Sequence, residues 1–221
     1  MTTRRQWLTI TLATLGVAVA AGTEDLLAAP PELRLPADSP ARVYDFGASD
    51  ISRWAIVSGQ WTVEDMADAP SGGKVLVQRA TRNAFNVIVA PDIFTDADVS
   101  VAFKPMSGRE DASGGTVVRF DEGRYYVVRA NALEDNFRLY YYDRARSQIA
   151  SANVKAPALG RWHTIRLIAV GDRMQAWLDG APTLDHRDAR LTAGRVGLWT
   201  KADSVTAFDT LTVRGRTVGS G

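Results

Sequence analysis

Cysteine is absent from the 221 residues of this chain, and histidine occurs only twice. The missing cysteines exclude disulfide bonds, thiolate catalysis, cysteine-ligated zinc and a lipid-anchored cysteine. Two histidines are too few for a histidine-rich metal site. Excess charge is also small, because 26 Lys and Arg face 25 Asp and Glu. A near-neutral chain has no basic surplus with which to bind nucleic acid, so we expect no nucleic-acid partner.

No apolar run near the N-terminus is long enough to cross a bilayer. An uncharged run of small and apolar residues at 9–20 follows Arg4 and Arg5, whereas a spanning helix needs about 20 apolar residues. A basic segment followed by a short apolar run predicts a signal peptide over 1–20, cleaved before Ala21. We therefore expect an exported protein, periplasmic or extracellular, with no transmembrane segment in the mature chain.

The type of signal and the segment that follows it are less sharply defined. The sequence Thr-Arg-Arg-Gln-Trp-Leu at 3–8 favours a twin-arginine signal, with an ordinary secretory signal as the alternative. Cleavage after Ala29 is a second option, weakened by the proline that follows. Four of the nine prolines lie within 30–40, and proline removes a backbone donor and restricts the preceding residue. Residues 21–40 are therefore predicted to be an extended tether.

From residue 41 onward the chain has the pattern of an all-β protein. Segments of period-two hydrophobicity recur between clusters of Gly, Asp, Asn and Pro, and no 12-residue segment keeps a helical period. About eleven strands are predicted, at 54–63, 74–79, 85–90, 99–103, 116–120, 124–131, 137–142, 162–170, 173–178, 195–201 and 206–213. This pattern predicts a two-sheet antiparallel β-sandwich over 41–215, with a flexible tail at 216–221.

Two predicted strands are apolar or aromatic on both faces, at 125–128 and at 139–142. A strand that is buried on one face and lines a groove on the other has this pattern. A central strand under a covering loop has it too, so both interpretations stay open.

A distinctive stretch at 162–180 carries a family resemblance. It reads Trp-His-Thr-Ile-Arg-Leu, then Gly171-Asp172, then Met-Gln-Ala-Trp-Leu-Asp-Gly ending at Gly180. This stretch is similar to the penultimate hairpins of concanavalin A-like lectin/glucanase and laminin-G-like domains. Within that superfamily the chain most resembles the bacterial 3-keto-disaccharide hydrolase-like domains, over about 41–214. The resemblance implies a jelly-roll sandwich with a concave face that often holds sugars, and relatives that cleave 3-keto glycosides.

The resemblance does not extend to glucanase catalysis. Related glucanases carry an E-x-D-x-x-E motif on one strand, which places two carboxylates on one face as glycosidases require. The sequence contains no E-x-D. Retaining glucanase chemistry is therefore not expected.

The candidate ligand-binding residues lie on neighbouring strands. Aromatic rings pack on apolar sugar faces, and Arg and Asn donate directed hydrogen bonds to hydroxyls. On 124–131, the apolar run of Tyr126, Val128 and Ala130 favours the core for that face. The candidates are Arg119, Tyr125, Arg129, Asn131, Arg138, Tyr140, Trp199 and Lys201. The alternative is that the arginines form solvated ion pairs with nearby acids.

Catalytic and metal signals are weak. Glu134 and Asp203 are the candidate bases for a hydrolase, with Arg129 or Lys201 stabilising developing charge. Residues 134–136, Glu-Asp-Asn, suit a turn, and calcium binding is the weaker alternative because three adjacent side chains point in different directions. No metal or other cofactor is assigned. His163 is expected to be a structural histidine.

Three functions remain open from the sequence. The first is an exported, non-catalytic carbohydrate-binding domain with a saccharide groove on the concave sheet. The second is a hydrolase of modified, 3-keto disaccharides or glycosides, which rests on the resemblance alone. The third is a structural or adhesive interaction module, which an exposed apolar patch would favour.

Overall fold

A computed structural model of the protein describes residues 31–47, 51–81 and 84–218. The predicted signal peptide, its cleavage site, the first part of the tether and the last three residues of the tail lie outside the described residues. Among the residues that are described, no helix is long and apolar enough to span a membrane.

The described part of the chain contains fifteen strands and one short 3-10 turn at Ile51–Arg53. The strands are β1 Ala41–Tyr44, β2 Ala55–Ser58, β3 Trp61–Asp65, β4 Lys74–Gln78, β5 Phe85–Phe94, β6 Ala97–Ser107, β7 Ser113–Asp121, β8 Arg124–Asn131, β9 Glu134–Asp143, β10 Ala145–Asn153, β11 His163–Val170, β12 Arg173–Leu178, β13 Ala181–Arg187, β14 Gly194–Lys201 and β15 Val205–Arg214.

The strands form two antiparallel sheets. Sheet A has the order β13-β12-β11-β6-β15-β4-β3, and β1 pairs with β15. Sheet B has the order β10-β9-β8-β7-β14-β5-β2. Non-consecutive neighbours such as β7 and β14 show that the chain crosses between the sheets. This is the predicted jelly-roll sandwich.

The main core lies between the two sheets. Sheet A contributes Leu76, Phe103 and Phe208, and sheet B contributes Tyr126 and Val128, all at most 1% exposed. Each lies on a strand whose side chains alternate between the two faces of its sheet, so one face of each sheet is buried in the sandwich.

The hairpin quoted for the resemblance has the predicted turn. Asp179 and Gly180 both have positive φ, of 50° and 77°, as a two-residue type I′ turn requires. His163 is a structural residue in this hairpin: its Nε2 accepts from the Ala158 N–H, and its Nδ1 lies 2.8 Å from Asp179 Oδ2.

The sequence pattern missed three strands and merged two. The segment predicted at 54–63 divides into β2 and β3, and β1, β10 and β13 were not predicted. β10 and β13 are edge strands, with one neighbour each. An edge strand packs few apolar side chains, so its sequence lacks a strong period-two signal.

The described part of the tether is extended and contacts sheet A. The Leu33 N–H donates to Gln175 Oε1 at 2.6 Å, and Glu32 pairs with Arg166 at 2.7 Å. Near the start of the sandwich, the Gly215 N–H donates to the Pro40 carbonyl at 3.0 Å. This segment therefore lies along the sheet, held by a few polar contacts.

Candidate functional site

The outer face of sheet B, the face that points away from the main core, carries most of the candidate residues. On β8, Tyr126 and Val128 point into the main core, so Tyr125, Val127 and Arg129 point outward. Register pairs extend this face across β9, where Tyr142, Tyr140 and Arg138 lie opposite these three residues. Trp199 and Lys201 lie on the same face of β14.

This outer face is strongly concave. Phe85 on β5 and Tyr142 on β9 are separated by three strands in the sheet, yet their ring centroids lie 5.5 Å apart. Neighbouring strands in a sheet are about 4.8 Å apart, so a flat sheet would keep these rings far from each other. Sheet B therefore curls until opposite parts of its outer face touch.

The curled face is filled by its own side chains. Trp199 is fully buried, and Tyr125 and Tyr140 are each 3% exposed. They form a second apolar cluster with Val87, Val89, Val117 and Val127. Burial raises the pKa of Tyr125 well above its usual range. These three rings therefore form the floor of the concave face, and the rings of this cluster that stay partly exposed are Phe85, Phe120 and Tyr142.

A polar cluster lies beside the aromatic floor. Arg129, which is 2% exposed, donates from Nη2 to Glu134 Oε2 at 2.7 Å and from Nη1 to Asn136 Oδ1 at 3.0 Å. Arg138 Nη1 lies 3.5 Å from both Glu134 Oε2 and the Tyr140 hydroxyl. We call the residues Arg129, Glu134, Asn136, Arg138, Tyr140 and Arg146 the arginine cluster.

Arg146 completes this cluster from the edge strand β10. Its guanidinium carbon lies 4.3 Å from the centre of the Tyr140 ring and 5.2 Å from that of Phe85. It therefore covers the aromatic floor, as a cation over the face of a ring is attracted to it.

Glu134 is held as an ion by its neighbours. Burial alone would raise the pKa of its carboxyl, but hydrogen bonds from Arg129 and Asn136 outweigh burial and leave the pKa below its ordinary value. A carboxylate with a lowered pKa and an arginine partner is a weak proton acceptor.

Lys201 and Asp203 organise a loop at the end of this face. Asp203 accepts the backbone N–H groups of Arg109, Glu110 and Asp111 at 2.7–3.0 Å. Lys201 Nζ lies 3.5 Å from Asp111 Oδ2. The carboxylate of Asp203 therefore fixes the loop, and its oxygens are occupied by backbone donors.

Two of the predicted ligand-binding residues lie elsewhere. Arg119 is 2% exposed and donates to the carbonyl oxygens of Thr95, Leu191 and Gly171, so it holds loops together. Asn131 is fully buried, and its Oδ1 accepts the N–H groups of Ala112 and Leu133. The structure brings together the other six: Tyr125, Arg129, Arg138, Tyr140, Trp199 and Lys201.

Phe85 and Arg146 were not predicted to be site residues, and Asn136 was considered only as part of a weak calcium alternative. Phe85 begins a predicted strand. Its aromatic side chain, a type that packs on sugars, was the one sequence feature that could have marked it as a site residue. Arg146 lies on β10, which was not predicted at all, so no alternation could assign its face. Arg146 lies diagonally across from Tyr140 on the neighbouring strand β9, whereas only the curl of sheet B brings it near Phe85 on β5.

Two surface depressions flank the β7–β8 turn near the partly exposed ring of Tyr142. One, of about 550 Å³, is lined in part by Phe120, Arg124 and Arg195. The other, of about 690 Å³, is lined by Tyr142, Arg124 and Arg144 with neighbouring acids. The rings of Phe120, Tyr125 and Tyr142 stack in sequence, with centroids 5.8 and 4.9 Å apart. The aromatic floor thus reaches open surface at this end.

Within the described ranges, no group of three or more Asp, Glu or His side chains is arranged to hold a metal ion. Glu134 and Asn136 face Arg129, and Asp135 instead accepts the Ala156 N–H at 3.0 Å. The three residues therefore do not converge on one point where calcium would bind.

Sequence comparison identifies the family of the sandwich. Residues 43–214 match the family profile of the 3-keto-alpha-glucoside-1,2-lyase-like domain. The chain belongs to this family. The lyase-like domain therefore spans β2 to β15 and the last two residues of β1. A search of curated proteins found no matching sequence.

Solved structures with the same fold include binding proteins and an enzyme. The carbohydrate-binding module CBM66 from Bacillus subtilis superposes with a TM-score of 0.64 at 21% identity, covering 74% of this chain and 96% of that one. The Bacillus licheniformis β-glucanase gives 0.56 at 11% identity, covering 81% and 99%. The VIP36 exoplasmic/lumenal domain, solved with Ca²⁺ and Man3GlcNAc, gives 0.55 at 10% identity, covering 78% and 87%. At these identities the likeness establishes the fold.

Proposed function

We propose that the lyase-like domain is an exported, non-catalytic carbohydrate-binding domain. Its saccharide site is the accessible part of the concave face, between the arginine cluster and the partly exposed rings of Phe85 and Tyr142. The observation that carries the proposal is the pairing of directed guanidinium donors with partly exposed aromatic rings on one concave surface. Sugar recognition needs both kinds of group.

The hydrogen-bond partners of the two candidate catalytic carboxylates, Glu134 and Asp203, support binding rather than catalysis. Glu134 is paired with Arg129, and Asp203 accepts three backbone N–H groups. Neither carboxylate is poised to take a proton from a substrate. The folds of CBM66 and VIP36 are consistent with a binding role, since the first is a carbohydrate-binding module and the second was solved with a glycan.

A calorimetric titration of the mature chain with a panel of oligosaccharides tests the proposal. Arg138 has a side chain that is 32% exposed, so Arg138→Ala is expected to weaken binding by roughly tenfold or more, as loss of a charged hydrogen bond does. Arg187 is an exposed arginine on sheet A. Its substitution Arg187→Ala is the matched control and should leave the affinity for sugar unchanged. If wild type and Arg138→Ala bound every sugar with equal affinity, the result would contradict a saccharide site on this face.

The second candidate is cleavage of a 3-keto glycoside, which the description of the matching family favours. A 3-keto group acidifies the C2 proton, so one base and one oxyanion stabiliser would suffice. Glu134 is the carboxylate nearest the site, with Arg138 as the cation beside it. Turnover of a 3-keto glucoside by the wild type that is lost in Glu134→Gln would establish this activity and contradict the non-catalytic proposal.

A further inference from the structure

The arginine cluster has more positive than negative charge. Three guanidinium groups surround the Tyr140 side chain: Arg129 and Arg138 lie 3.5 Å from its hydroxyl, and Arg146 lies over its ring. Glu134 is the one carboxylate of the cluster, and both Arg129 and Arg138 share it. Within the described part of the chain, no carboxylate pairs with Arg146 within 4.0 Å. The cluster therefore carries a surplus of two positive charges.

Several donors of the cluster also lack acceptors. Arg129 Nε, Arg138 Nε and Arg146 Nη1 are buried and have no hydrogen-bond partner among the described residues. Leaving a buried charged donor unsatisfied is unfavourable, because the group loses its hydration without a replacement. Arg129 is itself 2% exposed, so its charge is shielded from bulk water. Surplus charge and missing acceptors both indicate that an anion belongs here.

We infer that the saccharide bound at this site carries a carboxylate, as a hexuronic acid residue does. The inference rests on the proposed function and specifies its ligand. A carboxylate has two coplanar oxygens that match the fork of a guanidinium group, and such pairs are strong and directional. Arg138 and Arg146 are the cluster arginines with partly exposed side chains, so they are the ones that reach the carboxylate. The sugar ring then lies on the partly exposed ring of Tyr142 or Phe85.

A matched pair of ligands tests this inference on the mature chain. Oligogalacturonate is compared with the α-1,4-galactose oligomer of equal length, and oligoglucuronate with the cello-oligosaccharide, all by calorimetry. We expect the acid of at least one pair to bind roughly tenfold or more tightly than its neutral partner. We also expect this advantage to shrink as salt is raised, because the partly exposed charges are screened.

Variants locate the preference in the cluster. Arg146→Ala should reduce the advantage of the acid by roughly tenfold while changing the affinity for neutral sugar much less. Arg146→Lys should restore part of it, and Arg187→Ala on sheet A should change nothing. Thermal melting checks that each variant is folded, and the wild-type comparison of acid with neutral sugar does not depend on any variant.

The outcomes separate this inference from the proposed function. Neutral sugar bound as tightly as acid contradicts the inference and leaves the proposed function standing. No binding of any saccharide contradicts both. If the preference for acidic over neutral sugar persists in both Arg146→Ala and Arg138→Ala, the arginine cluster does not bind the carboxylate. Tighter binding of sulfated or phosphorylated sugars than of uronates overturns the assignment of a carboxylate.

Discussion

The ring of Phe85 on β5 lies edge-on to the ring of Tyr142 on β9, at 5.5 Å between centroids, across the concave face of sheet B. Phe85 also stacks on Trp199 at 5.5 Å, and Tyr142 stacks on Tyr125 at 4.9 Å. These contacts join the two sides of the curled sheet above its aromatic floor. Because the rings cover part of the concave face, these contacts limit the area that a ligand can reach.

The first prediction concerns this contact. Phe85→Ala should lower the free energy of unfolding by about 1–3 kcal/mol, because a partly buried ring is removed from three aromatic and cationic neighbours. A double-mutant cycle with Tyr142→Ala should give a coupling of about 0.5–1.5 kcal/mol. Urea denaturation measures both values. Ile93→Ala, at an exposed position, is the control and should change stability by less than about 0.5 kcal/mol.

Additivity of Phe85→Ala and Tyr142→Ala would contradict the contact. It would mean that sheet B is flatter in solution and that the outer face is more open.

The second prediction separates the two faces of β8. Arg129→Ala should cost about 1–3 kcal/mol of stability, because its buried guanidinium satisfies Glu134 and Asn136. An arginine on the open surface would instead cost under about 1 kcal/mol. Arg138→Ala on the neighbouring strand is more exposed and should cost less than about 1 kcal/mol.

Val128→Ala should also cost about 2 kcal/mol through the cavity that it leaves in the main core, but it should spare ligand affinity. Chemical denaturation and calorimetry of the three variants provide the comparison. A stable Arg129→Ala protein with unchanged ligand affinity would contradict the role given to the arginine cluster.

The third prediction is a pH dependence that comes from Asp188. Burial tends to raise the pKa of its carboxyl, but hydrogen bonds from Arg190 and from the Tyr126 hydroxyl outweigh burial and lower the pKa from 3.8 to about 2. A lowered folded-state pKa stabilises the protein above the unfolded-state value. This contribution should be full above about pH 4 and should be lost as the pH falls toward 2, by about 2 kcal/mol.

Unfolding in urea at pH 5 and at pH 2 measures this loss. Asp188→Asn should be less stable than wild type at pH 5 and should lose less stability than wild type between the two pH values. Equal losses in the two proteins would show that Asp188 is not paired in solution.

The fourth prediction concerns the tether. Deleting residues 21–36 removes the Glu32–Arg166 pair and the Leu33 contact with Gln175. Exposed ion pairs contribute about 0–1 kcal/mol, so the melting temperature should change by only a few degrees. Scanning fluorimetry gives the comparison. A fall of roughly 10 °C or more would mean that this segment is an integral part of sheet A.

The sandwich could be predicted because its strongest signals are local. Asp179 and Gly180 specify their turn by backbone conformation, and Tyr126 and Val128 specify the buried face of β8 by alternation. Both signals depend only on neighbouring residues.

The site could be predicted only in part because two of its features are not local. Alternation along β7 assigns Arg119 to the outer face, but the register shifts between Val118 and Asp121 and Arg119 has a φ of 54°. Such a bulge redirects a side chain without a clear sequence signal. Arg146 reaches Phe85 on β5 only because sheet B curls, and curvature across many strands cannot be read from one segment.

The most direct test of the account maps the ligand onto the sandwich. Backbone amide resonances of a protein comprising residues 21–221 are followed by NMR during titration with the tightest-binding oligosaccharide of the panel. We expect the chemical-shift changes to concentrate in β9, in β10 and around Phe85, with little change at Arg173 or Arg187 on sheet A. Shifts confined to sheet A, or no shifts at saturating sugar, would contradict a saccharide site on the concave face of sheet B.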